Sequence, residues 1–464
     1  MNFKKLFSFV KLPLDNRGNL IIFSTVFGVI AMSVVVLAVS GYAVSENRAS
    51  SHKHNAEAAF QVAEAGINYS RWQLTHNPAD FQDGTATSGP YIHDYTDTDG
   101  KVIGHFSLNI IPPSNSSTIV TVESTGWLDN QPNSRRTIRT RMGFASITDY
   151  SILTNSDIWI GDTQIMHGKF HSNNGIRFDG LTDAALTSAM ATWTCKSHIG
   201  CGNNQVEDGI FGDGGPKSFW SFPVPAKDFD AVTAKLQDIK TGASAQNGGL
   251  YLPSSGKYGY RLVFNANRTI TVNKVSKLNC YNGRDVGDNK HQSFCIDVKT
   301  VDTPATVYPM PTSTFIYVED NIWVEGTVKG RATVGTAAGK SIMLQNNLLY
   351  TAKDGTDALG LVAEQNILIT HDVPDYLEID AALLAQNGAT KRYYYFGDKK
   401  EQLLVFGSVI SKGIWTWTWY SGGGAVDSGF RHVFMTYDDN LTYNPPGGFP
   451  VGKSYEVLSW ELVN

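Results

Sequence analysis

A chain of 464 residues is long enough for roughly two or three domains, and its formal net charge of −5 excludes a strongly basic chain, so nothing suggests a nucleic-acid surface. Only 17% of residues are charged, 42% are hydrophobic and 44 are glycine, a balance that excludes a long disordered polar chain and fits β-rich architecture with many tight turns.

Residues 1–18 form a basic leader in which Lys4, Lys5, Lys11 and Arg17 are opposed only by Asp15. The leader ends in Arg17-Gly18 and runs into Asn19–Ser45, which holds no charged residue. The run 20–44 is dominated by Leu, Ile, Val and Phe and exceeds the roughly 20 apolar residues that cross a bilayer. The positive-inside rule keeps the leader in the cytoplasm and sends the rest of the chain outward. The expected topology is a single pass through the bacterial cytoplasmic membrane with the C-terminus outside. A secretory signal cut near Ala38-Val39-Ser40 is an alternative, but such signals usually have apolar cores of roughly 7–15 residues. A plain membrane anchor is another.

Beyond Glu46 the pattern becomes amphipathic. Ala56, Ala59, Ala63, Ile67, Ser70 and Leu74 follow helical spacing, with Glu64 and Arg71 off the stripe. One helix over 19–75 is expected, roughly 80 Å long at 1.5 Å per residue, ended by Asn77-Pro78. The small residues of the stripe suit close helix approach.

Arg17-Gly18, the apolar run and Ala59-Phe60-Gln61-Val62-Ala63-Glu64-Ala65-Gly66 together resemble the type IV pilin superfamily, and most nearly the PilX-type minor pilins. The resemblance implies cleavage by a prepilin peptidase after Gly18, so that Asn19 becomes the mature N-terminus. It implies other pilin-like subunits as partners through the helix, and a cell-surface or pilus location after processing. Ordinary pilins carry Glu at the fifth mature position, where this chain has Phe23. That departure suits a minor or tip subunit.

A polar linker is expected over 76–100. Asp99-Gly100 within 94–101 reads as a hairpin turn; a calcium loop would need a first carboxylate and a closing Glu. Alternating runs at 105–112, 118–125 and 135–142 predict a small antiparallel sheet, completing a pilin-like β module over 76–148.

From 149 to 464 the pattern changes to short β-branched runs with Gly, Asn or Asp at their corners, at 157–180, 315–335, 341–350, 359–370 and 403–414. Such runs predict rungs of a right-handed β-solenoid, with a β-sandwich as the alternative. The segments 167–176, 324–334, 357–369 and 437–462 also resemble exported solenoid domains attached to PilX-like helices. The stretch 181–300 reads as insertions on that body, with one short helix over 226–240. It carries all four cysteines: Cys195, Cys201, Cys280 and Cys295. In an exported segment these read as two disulfides. Proximity favours 195 with 201 and 280 with 295, although three connectivities exist, and His198 between the first two leaves zinc as a rival.

Chemistry is sparse. The run 334–341 has three residues between Gly335 and Gly339 where a phosphate loop needs four, and reads as a corner. His167 and His171, with Asp179 nearby, lack a confident third metal ligand. Glu319, Asp320, Asp438 and Asp439 come as adjacent pairs, which a strand sends to opposite faces. Trp415, Trp417 and Trp419 alternate, so either they are buried or they form an exposed platform for a surface glycan, extended by Tyr393, Tyr394 and Tyr395. No cofactor, metal or catalytic residue is assigned. The expected role is a non-enzymatic, pilin-like surface subunit serving adhesion or assembly; the alternative is a membrane-anchored carbohydrate-binding or carbohydrate-active β-helix protein.

Overall fold

One helix, α1, runs unbroken over Asn19–His76 and ends where Asn77-Pro78 was expected to stop it. The computed structural model describes residues 19–114, 117–202, 205–229, 236–286, 288, 290–311, 315–421, 424–452 and 455–463. The basic leader and Gly18 therefore lie outside the described residues, as do 230–235 of the predicted helix 226–240; residues 226–229 are not helical, and a short helix runs over Leu236–Gly242.

The chain divides into two compact units. The first comprises the described part of Met1–Ile110 with Val122–Thr140 and Ser459–Asn464; the second comprises Ile111–Thr121 and Arg141–Leu458.

In the first unit the stripe of α1 is covered as its spacing required. Ala59, Ala63, Ile67, Ser70 and Leu74 are buried, joined by Val62, while Glu64 and Arg71 stay exposed. The cover is a sheet of order β1 (Tyr91–Thr96), β2 (Val102–Ile111), β3 (Val120–Leu128), β4 (Gln131–Gly143) and the chain's last strand, Glu456–Val463. β1 and β2 pair antiparallel through the turn at Asp97–Lys101, where the Asp97 carboxylate accepts the N–H groups of Asp99 and Lys101. β1 lies in the stretch read as a linker; its His93 is a polar residue at an inward position, packed against Tyr69 and Phe106 and bonded to Asp83, which disguised the alternation. Small residues let helix and sheet approach closely: a Cβ on Gly126 would lie 2.3 Å from the Ala63 nitrogen and 2.5 Å from the Ala59 oxygen. Arg139 on β4 ties the sheet together, donating to Glu123 on β3 at 2.8 Å and to Glu461 on the last strand at 3.1 Å.

The second unit is built mainly from parallel pairing of very short strands, an arrangement compatible with a β-helix. One ladder places Leu250, Ile316, Val334, Leu361, Leu383, Val409, Ile152, Phe170, Leu186 and Trp220 at one register position on successive strands. From Ile316 to Leu186 these side chains are almost completely buried. Burial of such a residue contributes roughly 1.5–3 kcal/mol, which is how strands of three residues persist. A second ladder stacks Tyr260, Ile322, Ile342, Ile367 and Thr390, and a third stacks Leu348, Ile379, Val405, Met435, Met166 and Thr182. The stacking order is not the chain order. Ile152, early in the unit, pairs beside Val409, late in it, so the chain begins in the middle of the stack, builds one end, crosses to the other and winds back.

Two long strands, Thr269–Arg284 and Gln292–Val301, form an antiparallel hairpin joined by the Cys280–Cys295 disulfide. The hairpin covers the outward residues Trp323, Met343, Leu368 and Tyr393 of the stacked strands, forming a second apolar layer. Its far end pairs Gly283 with Tyr395 and Arg284 with Tyr394, and Lys391 holds Asp285 at 2.6 Å.

Candidate functional site

Among the described residues, those of α1 from Leu20 to Val44 are all exposed: Phe23 is 75% exposed, Phe27 74% and Leu37 72%. This part is long and apolar enough to cross a membrane. Three of its hydroxyls bond within the helix: Ser24 and Thr25 donate to the Ile21 carbonyl at 3.1 and 2.9 Å and Ser33 donates to that of Val29 at 2.7 Å. Internal pairing of this kind is what an environment without water demands. Asn19 is the first helical residue among the described residues, and Phe23, one turn on, is an exposed apolar ring.

A second feature lies within the second unit. The hairpin overhangs the stacked strands and leaves a cleft of about 450 Å³ lined by Arg261, Lys299, Glu325, Gln345, Asn346 and Asp372 among others. It adjoins a second hollow of about 300 Å³ that shares Arg261, Glu325 and Asn346. Gln345 secures the overhang by accepting the Val298 N–H at 2.8 Å, and Trp323 beneath donates to the Ile296 carbonyl at 2.7 Å. Arg261 is ion-paired with Glu325. Asp372 accepts from the Tyr281 hydroxyl at 2.8 Å and pairs with His371 at 2.9 Å. Burial works against its charge, but the His371 and Tyr281 hydrogen bonds outweigh that and hold its pKa below the usual carboxylate range. Burial, and then the bond to Asp372, push the Tyr281 phenol up to about 12. The lining comes from five separate stretches of chain, so no local motif announced it.

The cysteines form Cys195–Cys201 and Cys280–Cys295, the pairing that proximity favoured. All four thiols are consumed, and His198 instead faces Asp157 at 3.2 Å, so the zinc alternative has no thiolate. Trp415 and Trp417 are 3% and 0% exposed and Trp419 is half-buried, its indole N–H bonded to the Arg392 carbonyl. Tyr393, Tyr394 and Tyr395 are buried as well. The alternating indoles thus offer no shared exposed face to a sugar; alternation put Trp415 and Trp417 on one side, and that side is the core. His167 binds Asp183 at 2.7 Å, whereas buried His171 bonds Thr187 and Asn173, and Asp179 is held by Arg177 and Trp159. The 334–341 run ends a strand and turns at Gly339, whose N–H is capped by Glu364. Glu319 pairs with Lys240, and Asp438 caps the short helical turn Asp439–Leu441.

Comparison with protein-family models returned no match, and comparison with curated proteins returned none. Among solved structures, the crystal structure of the competence-associated pilin ComZ from Thermus thermophilus aligns over 88% of this chain and 97% of its own, at 15% identity and a TM-score of 0.31. Agreement that low carries neither fold nor function across.

Proposed function

We propose that this chain is a non-enzymatic, pilin-like minor subunit that inserts in the bacterial cytoplasmic membrane and assembles through α1 with other pilin-like subunits. The observation that carries the reading is the division of one continuous helix. Its second part is covered by its own sheet, while its first part, Leu20 to Val44, is apolar and bare. Bare apolar surface of that extent needs lipid or sister helices around it. In this reading a prepilin peptidase cuts after Gly18, and Asn19 becomes the first residue. The apolar Phe23, in place of a carboxylate that would need a partner, suits a subunit at the filament tip. The stacked second unit is then a right-handed β-solenoid displayed outside the cell for adhesion or assembly.

Mass spectrometry of the N-terminal peptide from the exported protein tests this. A first residue of Asn19 is expected. A first residue at 41, or an intact leader, overturns it.

A further inference from the structure

The cleft beneath the hairpin has a composition that selects its ligand. Its four ionic side chains balance, with Arg261 and Lys299 against Glu325 and Asp372. Arg261 and Glu325 neutralise each other and Asp372 is held by His371 and Tyr281, so neither a polyanion nor a polycation finds a run of unpaired opposite charge there. The polar lining argues against a purely apolar molecule. A peptide cannot add as a strand beside Arg261, because that strand is already paired on both sides, with Thr269–Lys274 and with Ile322–Gly326, and on the hairpin arm carrying Lys299 the Val298 N–H and the Ile296 carbonyl are already taken by Gln345 and Trp323. What remains is a neutral ligand rich in hydroxyls. The side-chain amides of Gln345 and Asn346 offer N–H donors, their carbonyl oxygens being engaged by Val298 and Asn347. Lys299 has no partner among the described residues, and the Arg261–Glu325 pair presents donors and acceptors together.

Size points the same way. At about 450 Å³ the cleft falls within the roughly 300–1,000 Å³ usual for small-ligand sites. Its continuation past Asn346 into the 300 Å³ hollow makes it elongated. We propose that this groove binds a neutral oligosaccharide, lying along the strands with Asn346 at the junction of its two halves. The inference stands apart from the assembly reading: the groove lies wholly within the second unit, and binding can be measured whether or not the chain enters a filament.

The test is calorimetric titration of the full chain, held in a detergent without a sugar headgroup, with cellotetraose, chitotetraose, maltotetraose and tetragalacturonate. At least one neutral tetrasaccharide should bind at a single site. Asn346→Ala and Lys299→Ala should each weaken it about tenfold, the scale of one hydrogen bond, with unchanged thermal unfolding. Absence of binding by all three neutral probes overturns the proposal. So does binding of tetragalacturonate alone, or binding that survives both substitutions.

Discussion

Asp297 is completely buried, and its Oδ1 accepts the Asp372 N–H at 2.6 Å. Burial raises its carboxyl pKa above the ordinary value. A folded-state pKa raised in this way means that the group's contribution is fully present below the unfolded value of roughly 3.9 and is lost as pH rises through the folded value. At neutral pH the ionised form therefore works against folding. Asp297→Asn keeps an oxygen for the Asp372 N–H and removes the charge, so it should raise the urea midpoint at pH 7 and lose that advantage toward pH 3. An equal shift at both pH values would show that charge burial is not the cause. Residue patterns expose some of this and hide the rest. The helical spacing of Ala59, Ala63 and Leu74 announced a covered stripe, whereas nothing around Asp297 in the sequence marks it as buried, because its cover comes from folding the hairpin onto the stack.

At the level of elements, the hairpin Thr269–Arg284 with Gln292–Val301 is the device that turns an outer face of the stack into an enclosed layer and a groove. The Cys280–Cys295 bond closes a loop with a sequence separation of 15. In the chain-entropy model such a loop is worth roughly 3 kcal/mol. Replacing both cysteines by Ser should cost up to about that much in chemical denaturation and weaken any ligand of the groove, since Lys299 sits on the released arm. No change in stability with or without reductant would mean that the packing of Phe294 on Tyr393, at 3.7 Å between ring centroids, holds the hairpin unaided. That 181–300, read as insertions, also supplies strands of the stack, at Leu186, Trp220, Leu250 and Tyr260, was hidden, whereas the cysteine pairs and the short alternating strands were readable. Which face of Trp415 and Trp417 met water was not, because alternation states only that two residues share a side. Partner strands decide which side is inside.

Across the whole molecule, the stack is built out of chain order. Ile152 and Val409 are neighbours on adjacent paired strands, while Val334 is several strands away on the same ladder. A double-mutant cycle on Ile152→Ala and Val409→Ala should show a coupling of about 0.5–3 kcal/mol, whereas Ile152→Ala with Val334→Ala should be additive within about 0.5 kcal/mol. Additivity in both cycles would contradict the stacking order. The sequence by itself determined the membrane-length helix, its covered stripe, the abundance of short strands and the oxidised cysteines, because each depends on local composition, period or spacing. Only the tertiary structure decided that the unit begins in mid-stack, that the last strand joins the first sheet, that the indoles face inward and that a charge-balanced groove exists. Those outcomes rest on pairing between segments far apart along the chain, and a strand's own residues specify that it will pair without naming its partner.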